Sequence, residues 1–299
     1  MVPETENLQQ FIAKCAEVVD SKLDKLVPTA DIEPIALHRA IRHSLFAGGK
    51  RFRPAFVFAV GNVFGVSNDK LINVAAAIEM IHTYSLIHDD LPSMDDDDLR
   101  RGRETCHKKF GEATAILAGD ALQNMAFQAI VDDVGLSAET RIRLVSIIAD
   151  ASGTPFGMVA GQQEDLTAEG QEITIEQLEQ IHRAKTGSMI RVSAQSGAII
   201  GDAGDVEFEA ITDFAENLGL LFQITDDLLD VTQSTKTLGK TAGKDISASK
   251  ATYPAVYGIA ESQNMAEKVH EKACRELARI NKPTQLLRDV ADFILHREK

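Results

Sequence analysis

The chain has 299 residues, and its 31 lysines and arginines stand against 45 aspartates and glutamates, a formal net charge of −14. That balance argues against general nucleic-acid binding and against a polybasic membrane-surface protein, since both need an excess of positive charge. Three widely separated cysteines, Cys15, Cys106 and Cys274, form no Cys-x-x-Cys pair, so neither a disulfide framework nor a thiolate zinc site is indicated. The opening MVPETENLQQ is acidic and lacks the apolar region of a signal peptide. With no run of about 18 apolar residues, membrane insertion is not expected either, and a soluble cytoplasmic protein is the default.

Helical punctuation recurs along the chain. Residues 5–25 carry Leu8, Phe11, Ile12, Cys15, Val18, Val19 and Leu23 at helical spacing. A second helix is expected from the N-cap candidate Asp31, with Pro34 in its first turn, to the stop at Gly48-Gly49. A third follows Pro54 through Phe64. The fourth, about 69–90, is apolar nearly all round, which predicts burial on most faces. Further helices are expected near 113–133, 137–163, 174–200, 206–231, 250–280 and 283–297. Strand signals are weak: no Asn-Gly or Asp-Gly turn lies between alternating runs. Residues 91–111, 164–173 and 232–249 read as loops. No composition break divides the chain, so one all-α domain over 1–299 is expected.

Asp89-Asp90-Leu91-Pro92-Ser93-Met94-Asp95-Asp96-Asp97-Asp98 holds six aspartates in ten residues, directly after the most apolar helix. Asp89 and Asp90 fall at a helix C-terminus, where the macrodipole already disfavours carboxylates. A compensating cation removes that cost, and hard oxygen ligands select Mg²⁺ or Ca²⁺. No EF-hand pattern is present, which argues against a dedicated calcium loop. Pro92 cannot continue a helix interior, so the chain should bend there and return Asp95 toward Asp89.

A second cluster, Asp226-Asp227-Leu228-Leu229-Asp230, ends another apolar segment. Asp226 and Asp230 fall within about 40° of each other on one helical face, where like charges repel unless they share a cation. Two such clusters suggest two carboxylate walls facing one site. Mg²⁺ held by a few carboxylates commonly binds substrate phosphates as well. Such a ligand also needs basic groups, and these stand beside both clusters. Arg100 and Arg101 follow the first; Lys236, Lys240, Lys244 and Lys250 follow the second; GGKRFRP adds Lys50, Arg51 and Arg53.

GGKRFRP, IHTYSLIHDDLPSMDDDDLRRG, the short KTG at 185–187 and LLFQITDDLLD resemble, in order and spacing, the marks of trans-prenyl diphosphate synthases, and CHKKFGEATAILAGDAL extends the likeness. Within that family the resemblance is greatest to the bacterial farnesyl diphosphate synthases. It implies antiparallel helices around a deep central cavity, the isoprenoid synthase fold, usually as a homodimer. It also implies condensation of an allylic diphosphate with isopentenyl diphosphate, dependent on about three Mg²⁺ per site.

Carried over by position, Asp89, Asp95 and Asp226 are implied metal ligands, with Asp90, Asp227 and Asp230 supporting or sharing that role. Arg100, Lys185, Thr186, Gln223 and Lys240 are implied contacts of the allylic diphosphate, joined less securely by Lys250. Lys50, Arg53, His82 and Arg101 are implied to hold isopentenyl diphosphate. The resemblance further implies a carbocation formed as diphosphate departs, faced by the Lys185 carbonyl and the Thr186 hydroxyl. The released diphosphate then takes the last proton.

His82 precedes Asp89 by seven residues, within about 20° on a helical wheel, which puts the two on one face. His88 lies about 100° away from Asp89 and reads as a packing residue. In the family, the fourth and fifth positions before the first aspartate set product length. Here they are Ser85 and Tyr84, a small and a bulky residue, which suggests a fifteen-carbon product over the twenty-carbon alternative. Tyr84 falls about 140° from Asp89, so it would act from the side.

Competing readings fare less well. A terpene cyclase would carry an Asn/Asp…Ser/Thr…Glu second motif, where DDLLD stands. A P-loop around Gly239-Lys240-Thr241 fails because position 234 is Ser234 and no strand precedes it. A non-catalytic prenyltransferase subunit or helical scaffold would be expected to lack one aspartate motif, and both are intact.

Overall fold

The computed structural model describes residues 7–171, 173–232 and 252–297. The fold is all-α, with 76% of the described residues helical. It divides into two compact units, residues 1–145 and 146–299.

In the first unit, α1 (Leu8–Leu26) starts with a capping box. The Asn7 side chain accepts from the Gln10 amide at 2.9 Å and the Gln10 side chain reaches back to the Asn7 amide. Cys15, Val19 and Leu23, four apart, are its buried stripe. Next come α2 (Ile35–Leu45) and α3 (Phe52–Val63). The second helix thus starts later than Asp31, with Pro34 as its N-cap. The central element is α4 (Asn68–Asp89), buried on most faces as its composition requires, and packed by α1, α3 and α6 (Glu112–Val131).

Glu79 lies in the middle of α4, 2% exposed. Arg51 satisfies it at 2.7 Å while also reaching Asp20 at 2.8 Å and donating to the Leu45 carbonyl at 2.6 Å. The expected loop at 91–111 contains more structure than its sequence suggested. A minimal hairpin, β1 (Leu99–Arg100) against β2 (Arg103–Glu104), is followed by the short α5 (Cys106–Phe110). The turn is Arg101-Gly102, both with positive φ. Arg101 takes a conformation usually left to glycine or asparagine, and it donates from that position to the Gly48 carbonyl. Gly49 permits this, because a Cβ there would collide with the Arg101 guanidinium.

The expected helix at 137–163 is two, α7 (Ala138–Ser152) and α8 (Met158–Ala168), divided around Gly153, Pro155 and Gly157. In the second unit, α9 (Ile175–His182) and α10 (Ser188–Ile200) are joined by a π-helical turn at Arg183–Gly187. The long α11 (Asp205–Thr232) packs against α10 and this turn. Gly219 allows the close approach, since a Cβ on it would sit 2.9 Å from the Gly187 Cα. The chain continues through α12 (Tyr253–Tyr257), α13 (Ile259–Glu276) and α14 (Gln285–Leu295). Gly258, at φ 76, divides the expected 250–280 helix. Among the described residues, no helix is long and apolar enough to cross a membrane.

Candidate active site

The candidate residues belong to both units, and each set has its own local geometry. In the first unit, α4 ends at Asp89 and the chain folds back at once. The Asp95 amide donates to the Asp89 carbonyl at 2.9 Å, and the Asp97 amide to the Asp90 carbonyl at 3.2 Å. The Met94 and Asp96 amides both donate to the Leu91 carbonyl. Asp95 is therefore returned to Asp89, the bend that Pro92 demanded. Last-turn carbonyls that a helix normally leaves open are closed by the loop's own amides.

Asp90 faces inward, 3% exposed, and its carboxylate accepts from Arg100 at 2.6 and 2.7 Å. Arg100 also lies 3.5 Å from Asp97. A carboxylate held by two guanidinium nitrogens is a brace, and it fixes Arg100 beside the acidic loop. Burial raises the Asp90 pKa, opposed by Arg100. His82 lies on α4, with Arg53 3.4 Å from its Nε2. Burial, and then the charges of Arg53, Arg101, Arg100 and Arg51, hold His82 well below the usual histidine range. The imidazole is neutral at pH 7 and adds a hydrogen bond, not a charge, to a strongly positive patch. Burial also lowers the Arg53 pKa, although an arginine remains charged at any relevant pH. Lys50 is exposed at the edge of α3.

Tyr84 is buried, 5% exposed, and its ring meets His88 edge-on at 5.8 Å. Its hydroxyl has no hydrogen-bond partner among the described residues. Burial and the Asp89 charge push its pKa up to about 12. Ser85 donates to the His82 carbonyl at 2.9 Å. His88 contacts the Ile116 carbonyl at 3.1 Å, a packing role that links α4 to α6.

In the second unit, Lys185 and Thr186 lie in the π-helical turn, the kind of insertion that recurs where a helix serves a site. The Lys185 ammonium is 2.7 Å from the Asp165 carboxylate of α8. Gly161, also on α8, lets that helix pack directly on the backbone of the turn, where a Cβ would strike Lys185. Asp226, Asp227 and Asp230 lie in the last turns of α11 and differ in partner. Asp227 is buried and accepts from the Tyr253 amide at 3.0 Å, which ties it to α12. Asp226 is 3.3 Å from Arg297. Asp230 is buried, and one carboxylate oxygen meets no donor among the described residues. Gln223 is half-buried on the same helix. Lys240 and Lys250, with Lys236 and Lys244, lie outside the described residues.

Within each unit the donors suit a hard divalent cation: aspartate oxygens at a helix end where the dipole adds negative potential, and in the second unit one buried Asp230 oxygen meets no donor among the described residues. Two residues absent from the sequence reading belong to this geometry. Asp165 follows GQQE near a helix end, and Arg297 is the third residue from the end of the sequence. Each was an ordinary surface charge in sequence, and only its distant partner marks it.

A Polyprenyl synthetase family model matches residues 35–290. The farnesyl diphosphate synthase of Escherichia coli (strain K12) is 43% identical over 97% of this chain and 99% of its own length. The large subunit 1 of the heterodimeric chloroplastic geranylgeranyl pyrophosphate synthase of Arabidopsis thaliana is 44% identical over 99% of this chain and 81% of its own. Among solved structures, the geranylgeranyl pyrophosphate synthetase of Pyrococcus horikoshii superposes with a TM-score of 0.87 at 33% identity, covering 97% of this chain and 98% of that one. The chain belongs to the polyprenyl synthetase family: it is a prenyltransferase of isoprenoid biosynthesis with the all-α fold of the isoprenoid synthases.

Proposed function

We propose that this chain joins isopentenyl diphosphate head to tail to dimethylallyl and then geranyl diphosphate, giving farnesyl diphosphate in an Mg²⁺-dependent reaction. The observation that carries the proposal is the fold-back that brings Asp95 to the end of the helix bearing Asp89 and Tyr84. Asp89, Asp95 and Asp226, with Asp230, would hold the metal, which supplies charge neutralisation of the departing diphosphate. Asp90 and Asp227 act from behind: Asp90 holds Arg100, and Asp227 holds the start of α12.

Arg100, with Lys185, Lys240 and Lys250, would draw the allylic diphosphate and its departing charge. Lys185 is already restrained by Asp165, which limits the entropy lost when it meets the anion. Arg53, Arg101 and Lys50 would receive isopentenyl diphosphate, with neutral His82 bonding to an oxygen without adding charge. Thr186 and Gln223 supply dipoles for a developing carbocation. No side-chain nucleophile is called on.

Buried Tyr84, one helical turn before His88 and five residues before Asp89, supports a fifteen-carbon limit. A twenty-carbon product is the alternative, favoured by relatives of that name at 44% identity beside 43% for the farnesyl enzyme. We propose a homodimer, although one relative is a subunit of a heterodimer. Three buried free cysteines support a reducing, cytoplasmic setting. The test is incubation of the protein with Mg²⁺, isopentenyl diphosphate and either dimethylallyl or geranyl diphosphate, with chain length read by chromatography. Fifteen carbons is the expected product; a dominant twenty-carbon product overturns the farnesyl assignment, and no product from any allylic partner overturns the catalytic one.

A further inference from the structure

On α13 and α14 three side chains of different chemistry converge. His270 Nε2 lies 2.6 Å from Asp292 Oδ1 and 3.6 Å from Cys274 Sγ, and all three donor atoms fall within 4.8 Å of one another. His270 and Cys274 are four apart on α13, so they share one face, and Asp292 comes across from the packed α14. We propose that His270, Cys274 and Asp292 form a binding site for a borderline-soft divalent transition metal, Zn²⁺ in character, separate in chemistry from the aspartate motifs.

The distances carry this. A tetrahedral ion with bonds of about 2.3 Å to sulfur and 2.0–2.1 Å to nitrogen and oxygen needs a sulfur–nitrogen edge of about 3.6 Å and a nitrogen–oxygen edge of about 3.4 Å. The first edge is present as it stands. The second requires Asp292, whose side chain is 48% exposed at the rim, to give up its His270 hydrogen bond and withdraw by less than an ångström. Thiolate, imidazole and carboxylate together select Zn²⁺ or Co²⁺ over Mg²⁺, which keeps to all-oxygen sites. Three protein ligands with one on the rim leave the fourth position to water.

The alternative use of such a trio, as a nucleophile with its base, is poorly served. Cys274 is buried, and burial raises its thiol pKa against a smaller opposing effect from Arg288, so the thiolate needs a bound cation to form. Metal entry would release the Cys274 thiol proton to solvent, put the His270 ring proton on Nδ1, and replace the His270–Asp292 hydrogen bond with two coordinate bonds, fastening α14 to α13.

The experiment is titration of chelator-stripped full-length protein with Co²⁺, followed by absorption, then competition with Zn²⁺. The expected result is a near-ultraviolet thiolate-to-cobalt band with tetrahedral visible bands, abolished by Zn²⁺. In Cys274→Ser the thiolate band disappears, and in His270→Gln and Asp292→Asn the Zn²⁺ dissociation constant rises about tenfold or more. Cys106→Ser, a control distant in sequence, keeps the full spectrum. Cobalt bound only at aspartates gives no thiolate band, so that result, or an unaltered band in Cys274→Ser, overturns the site. Circular dichroism of each variant confirms that the helices are retained, and an unchanged Zn²⁺ affinity in folded Asp292→Asn removes Asp292 from the ligand set and overturns the three-ligand site.

Discussion

The Arg297 guanidinium lies 3.3 Å from an Asp226 carboxylate oxygen and 4.0 Å from the centroid of the Phe222 ring. It also donates to the Phe222 carbonyl at 2.7 Å and the Thr225 hydroxyl at 3.0 Å. The end of the described chain is thereby held to the last turns of α11, where a cation relieves the negative helix end. Arg297 thus offers Asp226 part of what a divalent ion would offer.

Removing that competitor should ease metal binding. In Arg297→Gln, the Mg²⁺ concentration for half-maximal activity is expected to fall by up to about fivefold, equivalent to roughly 1 kcal/mol for a partly exposed pair. Mg²⁺ titration of steady-state rates is the measurement, and an unchanged or higher requirement counts against the competition.

Asp89→Ala and Asp226→Ala should each reduce turnover by more than about 10³-fold while the helical circular dichroism persists. Near-normal rates in either variant would refute the metal assignment at that residue.

Tyr84→Ala should lengthen the dominant product from fifteen to twenty carbons, at a stability cost of about 3–5 kcal/mol for emptying a buried aromatic position. Tyr84→Phe removes only a hydroxyl that has no partner among the described residues. It should preserve chain length and leave stability unchanged or slightly raised. A shortened product in Tyr84→Ala, or a lengthened one in Tyr84→Phe, contradicts a role through bulk.

Acid should weaken the fold through two histidines. Burial holds His82 well below its usual range and brings His182 down to about 4, so both are neutral when folded. An unfolded histidine gains its proton near pH 6.5, so below that pH the unfolded state binds protons that the folded state does not, and stability falls. For His182 the loss runs from about pH 6.5 to about 4 and amounts to about 3 kcal/mol. Denaturant midpoints measured across that range should flatten in His182→Gln; an identical slope would exclude His182 as a contributor.

Glu79→Gln should destabilise the first unit by about 1–3 kcal/mol, because Arg51 keeps Asp20 and the Leu45 carbonyl but loses its buried carboxylate partner. Replacing both partners, Arg51→Met with Glu79→Met, should recover much of the loss. Equal damage in the single and double variants would show that the pair is not the cause.

What could be read from sequence followed from local rules. The apolar circumference of residues 69–90 required a buried helix, and Pro92 required the bend that returns Asp95 to Asp89. The division of residues 137–163 was also signalled, by Gly153, Pro155 and Gly157, but apolar periodicity on both sides masked it. The Arg101-Gly102 hairpin had no such signal. Arg101 holds the left-handed conformation there while its side chain donates to the Gly48 carbonyl, 53 residues away. Asp165 and Arg297 were unreadable for a related reason: an ion pair formed across 20 or 71 residues leaves no spacing rule behind.

The π-helical turn at Arg183–Gly187 carries a consequence of phase. One residue more than an α-helix would use turns everything that follows by about 100° about the axis. Deleting a single residue between 183 and 187 would leave a continuous helix and nearly the same composition. It would also rotate α10 by about 100° relative to α9, so that a different set of α10 side chains faced α11. The KTG segment is therefore as much a gear setting as a set of side chains, and a substitution scan that preserves length would never detect it.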